Sequence, residues 1–80
     1  MARVVTTERR RTAGRIIAVQ EQRFRLQTES GQGLLLTLAV NANVDGQDLD
    51  RLRAAQTRIV VEYSGEPNLA TGVAHRIRPV

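Results

Sequence analysis

Arg23-Phe24-Arg25-Leu26-Gln27, followed after Thr28 and Glu29 by Ser30-Gly31-Gln32-Gly33 and then by Leu34-Leu35-Leu36-Thr37-Leu38-Ala39-Val40, is the stretch on which the fold turns. Polar and apolar residues alternate in its first part, which puts Phe24 and Leu26 on one face of an extended segment and Arg23, Arg25 and Gln27 on the other. The two glycines can take positive φ with no Cβ in the way, so the middle part predicts a hairpin. The nearly continuous apolar run over 34–40 predicts a well-covered partner strand. A half-buried strand turning back into a covered one begins a β-rich domain.

Working outward, the β-branched run Ile16-Ile17-Ala18-Val19 after Gly14 predicts a first strand over 15–20. Downstream the period changes. Asp45 suits an N-cap, Asp48 stands three residues later as the returning half of a capping box, and Val44 and Leu49 occupy the positions of a hydrophobic staple. A helix is therefore predicted over 45–56, with Leu49, Leu52 and Ala55 on one side and the pairs Asp48/Arg51 and Asp50/Arg53 on the other. Period two returns over 58–63, with Ile59, Val61 and Tyr63 inward, and the turn residues Ser64-Gly65-Glu66-Pro67-Asn68 end that strand. The last strand is predicted over 71–78, with Val73, His75 and Ile77 on its apolar face and Pro79 stopping the ladder. The predicted core comprises Phe24, Leu26, Leu36, Leu38, Leu52, Ile59, Val61 and Ile77.

Eighty residues, 41% hydrophobic and 25% charged, make one small folded domain with a limited core. Cys is absent and His75 is the only histidine, which excludes disulfides, thiol chemistry and multi-histidine zinc sites. Asp45, Asp48 and Asp50 are spaced like part of a calcium loop, but the terminal bidentate acid is missing and helix capping accounts for Asp45 and Asp48. No metal or other cofactor is expected. No apolar run reaches membrane-spanning length and the first residues do not read as a secretory signal, so a cytoplasmic location without a membrane partner is expected. The net charge of +4 is carried by twelve arginines and no lysine. Residues 1–11 hold Arg3, Arg9, Arg10 and Arg11 against Glu8 alone, while the remainder is close to neutral. A flexible Arg-rich arm over 1–11 and a single domain over 12–80 are expected.

Three strands, a short helix and two strands, with connections too short for parallel crossovers, predict a small and mostly antiparallel sheet. This order, with Gly14 opening the first strand, the Gly31/Gly33 hairpin and the ending Val73-Ala74-His75-Arg76-Ile77, resembles the OB-fold, a five-stranded Greek-key barrel, over residues 12–80. An SH3-like barrel is the second arrangement considered. The stretch Val19 to Leu26 also resembles the Val-Gln-Glu-x-Arg-Phe-x-Leu segment of small bacterial proteins, a likeness that implies no activity.

The OB-fold resemblance implies a non-catalytic binding module that takes oligonucleotides or oligosaccharides on the face of strands two and three, flanked by the loops after strands one and four. On that face stand Arg23, Arg25, Gln27, Leu35 and Thr37, with the second loop over 64–70. With the run Arg9-Arg10-Arg11, the nucleic-acid-binding candidates are Arg9, Arg10, Arg11, Arg23, Arg25, Gln27 and Thr37, gripping single strands or phosphate without base preference. Phe24 and Tyr63, the only aromatics in a sequence without Trp, point inward by alternation and are not expected to stack on bases. The competing reading makes Arg23 and Arg25 a solvated face paired with Glu29 or Glu62, and the protein an interaction or assembly subunit that offers a strand edge or the Leu35/Thr37 face to a partner. Oligomeric state is left open. Catalysis has little to build on: a triad would need Ser30 or Ser64 beside His75, both serines sit in turn sequences, and Gly31-Gln32-Gly33 precedes no helix that could hold a phosphate. No enzyme is expected.

Overall fold

Five strands and one helix follow in the order β1 (Arg10–Gln20), β2 (Arg23–Thr28), β3 (Gly33–Leu38), α1 (Gly46–Ala54), β4 (Ile59–Ser64) and β5 (Val73–Pro79). They are seen in a computed structural model that describes residues 9–69 and 71–80. The strands close into a barrel in the order β1-β2-β3-β5-β4. All neighbours are antiparallel except β3 and β5, which run parallel through Thr37–Val73 and Leu38–Ala74. The barrel is therefore a small OB-like one, mostly antiparallel as expected, with one parallel pair that makes the sheet mixed. The helix and the loop after β4 supply the long connections that let β5 return beside β3 in the parallel sense.

Closure depends on β1, which pairs with β4 through Arg10 to Gly14 and with β2 through Gly14 to Gln20. Gly14 belongs to both ladders and lies within the strand, not at its opening as the sequence reading has it. A Cβ there would stand 2.2 Å from the carbonyl oxygen of Gln27, so no side chain fits while β1 bends between its two partners. Ile17 is the extra residue of a β-bulge between Ile16 and Ala18, which leaves it half exposed and turns Val19 back against the core.

The interior is built by Ile16, Phe24, Leu26, Leu36, Leu38, Leu49, Ile59, Val61, Tyr63, Ala74 and Ile77, all buried. Leu49 joins it from α1, and Val44 and Leu52 pack against it from the side. Helix α1 starts as its sequence dictates, the Asp45 carboxylate accepting from the Asp48 N–H at 2.8 Å and the Asp48 carboxylate accepting from the Asp45 N–H at 3.0 Å. Past its C-cap Ala55, Gln56 takes a left-handed φ of 53° while its N–H and that of Thr57 donate to the carbonyls of Arg53 and Leu52.

The parallel seam is short, and two asparagines complete it. Asn68 donates its N–H to the Leu35 carbonyl at 2.9 Å and accepts the Leu35 N–H on Oδ1 at 2.8 Å. On the other strand, Asn43 donates Nδ2–H to the Ile77 carbonyl at 2.7 Å and accepts the Ile77 N–H on Oδ1 at 2.8 Å. Asn68 through its main-chain N–H and side-chain oxygen, and Asn43 through its side-chain amide alone, each do for one residue what a neighbouring strand would do, leaving no open backbone edge at either position.

Two expectations need correction. The first strand begins at Arg10, so Arg10 and Arg11 belong to a paired strand and not to a flexible arm; residues 1–8 of that expected arm lie outside the described residues. In β5 the inward residues are Ala74 and Ile77, while Val73 and His75 are only half-buried. A bulge between Glu62 and Tyr63 sets Glu62 opposite Arg76 and Tyr63 opposite Ala74, so His75 is the additional residue and the alternation changes phase there.

Candidate nucleic-acid interface

The outward face of β1, β2 and β3 is set by register. Arg23 lies opposite Thr37, Arg25 opposite Leu35 and Gln27 opposite Gly33, while on the β1 side Gln20, Ala18 and Arg15 flank Arg23, Arg25 and Gln27. Phe24 and Leu26 point the other way into the core, which holds Arg23 and Arg25 outward because every second side chain of a strand shares a face. A shallow groove runs across this surface between Ala18, Gln20, Arg23, Arg25 and Leu35. The Arg25 side chain reaches to the start of β3, its Nη1 3.6 Å from the place a Cβ would take on Gly33. Among the described residues, no carboxylate lines the groove.

The arginines divide into two groups. Arg51 and Arg53 bond to Asp48 and Asp50 on α1 at 3.0 and 2.8 Å, and Arg58 pairs with Glu29. Arg9 donates to Glu62 at 2.9 Å, Arg11 approaches the same carboxylate at 3.8 Å, and Arg10 donates to the Gly65 carbonyl at 2.5 Å with its guanidinium 5.1 Å above the Tyr63 ring. Among the described residues, Arg15, Arg23, Arg25, Arg76 and Arg78 have no carboxylate within ion-pair distance. The expected partners of Arg23 and Arg25 are thus occupied elsewhere, Glu29 by Arg58 and Glu62 by Arg9 and Arg11. Arg9's hydrogen bond, helped by the charges of Arg9, Arg11 and Arg76, holds the Glu62 carboxyl below the ordinary range.

The seven sequence candidates are therefore not gathered into one site. Arg23, Arg25, Gln27 and Thr37 share the β1–β2–β3 face, joined by Arg15, which a reading of the second strand alone misses. Arg9, Arg10 and Arg11 lie along β4 and its following loop, on another side of the barrel. Phe24 and Tyr63 are buried, 1% and 8% exposed, so neither offers a ring to a base. The loop after β4 is fastened to β3 by Asn68 beside Leu35, flanking the groove.

One pair considered for catalysis is in contact: Ser64 Oγ lies 2.6 Å from His75 Nε2 across β4 and β5. Ser64 is 5% exposed, and among the described hydrogen bonds no carboxylate reaches the His75 ring to orient it. The pair ties the end of one strand to the bulge of the next. No protein-family model, curated protein or solved structure matches this chain.

Proposed function

We propose that this barrel is a non-catalytic module that binds single-stranded nucleic acid through its phosphates on the β1–β2–β3 face. The observation that carries the reading is the set of three outward arginines, Arg15, Arg23 and Arg25, without ion-pair partners among the described residues, two of which line a groove that no described carboxylate lines. Guanidinium presents a planar fork of donors that matches phosphate oxygens, and it stacks on bases where aromatic rings are missing. Gln27 and Thr37 add uncharged donors and acceptors on the same face. With no exposed aromatic ring and no groove-reading helix on this face among the described residues, this surface recognises the backbone and discriminates little between sequences.

The reading is tested by fluorescence anisotropy of a labelled oligothymidylate over a range of salt. Phosphate contacts release counter-ions, so three arginines give a log–log salt slope of about 2 on a single strand, and Arg23→Ala with Arg25→Ala removes about 1.4 of it. Changing the ion-paired Arg51 and Arg53 to Ala leaves the slope unchanged. Absence of salt-dependent binding at low ionic strength, where attraction to phosphate is strongest, rejects the reading in favour of a protein-interaction subunit.

A further inference from the structure

Arg9 and Arg11, in the sequence next to β1's start, and Arg76 and Arg78, near the chain's other end, meet on the face of β1, β4 and β5. Along one rung Arg11 lies opposite Glu62 and Glu62 opposite Arg76; Val60, two residues away, lies opposite Arg78 and Ala13. Arg9 closes the group through its 2.9 Å bond to Glu62. The group holds four guanidiniums and one carboxylate, of which Arg9 and Arg11 reach Glu62, so three positive charges remain uncompensated within it. A groove passes between Arg11, Glu62, Arg76 and Arg78, floored by Val60.

We infer that this β1–β4–β5 face is a second phosphate-binding surface, on which a second segment of nucleic acid lies along Arg76 and Arg78, with Glu62 acting as an internal counter-ion that limits its affinity. The inference rests on the phosphate-binding reading above and adds a second site to it. Charge complementarity selects the occupant: alternate residues of a strand stand about 6.8 Å apart, which sets Arg76 and Arg78 at a spacing comparable with one phosphate repeat of an extended strand. Arg76 and Arg78 have no carboxylate within ion-pair distance among the described residues, so they meet a phosphate without first breaking an internal pair. Arg9 and Arg11 do share Glu62, and an incoming phosphate competes with that carboxylate for them. The two surfaces share only β1, the first through its part after Gly14 and the second through its part before Gly14, and occupation of both lets one chain hold two strands.

Calorimetric titration of the full chain with an eight-nucleotide oligothymidylate at low salt tests this. Two oligonucleotides bind per chain, and Arg76→Ala with Arg78→Ala reduces this to one while the first affinity is unchanged. Arg23→Ala with Arg25→Ala removes the other. Glu62→Gln, which releases Arg9 and Arg11, tightens the second site by about two- to fivefold, the size expected for an exposed ion pair. Circular dichroism confirms that each variant is folded. Saturation at one oligonucleotide, or a second site indifferent to both Arg76→Ala/Arg78→Ala and Glu62→Gln, overturns the inference and leaves the first surface standing. No binding at all overturns both. An octaglutamate peptide that takes the second site at least as tightly as the oligonucleotide assigns it to an acidic protein segment instead, which also overturns the inference.

Discussion

Replacing Asn43 probes how the barrel is completed where its strands stop pairing. The Asn43 amide holds both backbone groups of Ile77, a residue 2% exposed. Asn43→Ala leaves an N–H and a C=O without their partners. An unsatisfied buried polar group costs about 1–3 kcal/mol, and because Asn43 itself faces solvent, water can reach part of the vacated space; one group's penalty, about 2 kcal/mol, is the expected loss. In a domain of this size each kcal/mol moves the midpoint by about 4–8 °C, so thermal unfolding followed by far-UV circular dichroism should show Tm falling by about 8–16 °C. Asn43→Asp keeps the acceptor for the Ile77 N–H but sets a carboxylate oxygen against the Ile77 carbonyl. At neutral pH it therefore destabilises at least as much as Ala, and its deficit relative to the parent shrinks in acid, where the introduced carboxyl is protonated and donates. If both variants melt within about 2 °C of the parent at neutral pH, the amide is not what completes β5 and the account of the seam is wrong.

Gly14→Ala forces a Cβ to within 2.2 Å of the Gln27 carbonyl oxygen and should cost about 1–3 kcal/mol or more in denaturant titration, whereas Gly33→Ala, which meets only Arg25 at 3.6 Å, should cost far less. Gln56→Gly relieves the left-handed backbone at the end of α1 and should raise stability by about 0.5–1 kcal/mol in the same titration. The Glu62 and Asp45 carboxyls are held below their ordinary range, Glu62 chiefly by Arg9's hydrogen bond and Asp45 by the Asp48 N–H. Such groups contribute stability that is complete above their unfolded values, about 4.3 for Glu and 3.9 for Asp, and lost as pH falls through the lower folded values. Melting at stepped pH should therefore show Tm falling in this acid range, with a shallower fall in Glu62→Gln.

The elements most legible in the sequence were those whose local chemistry agrees with their packing. Strict alternation in β2 identifies Phe24 and Leu26 as interior, and Asp45 with Asp48 announces the start of α1. Two bulges defeat alternation, since one added residue changes its phase: Ile17 returns Val19 to the core, and the extra residue His75 puts Ala74 inside, where a plain count back from Ile77 turns it outward. The beginning of β1 was hidden by its own composition, because arginines read as a solvated run while their backbone pairs with β4. Half of the candidate interface follows from the second strand alone. The grouping of Arg9 and Arg11 with Arg76 and Arg78 is a product of barrel closure between distant segments, which no local pattern carries.

Backbone amide shifts of the ¹⁵N-labelled chain, recorded while oligothymidylate is added at low salt up to the first equivalent, test the proposed interface most directly. The account predicts that the largest changes fall on Arg15, on Arg23, Arg25 and Gln27 of β2 and on Leu35 and Thr37 of β3, with α1 unaffected. Changes centred on α1, or spread evenly over all exposed residues without concentration on the β1–β2–β3 face, would contradict it.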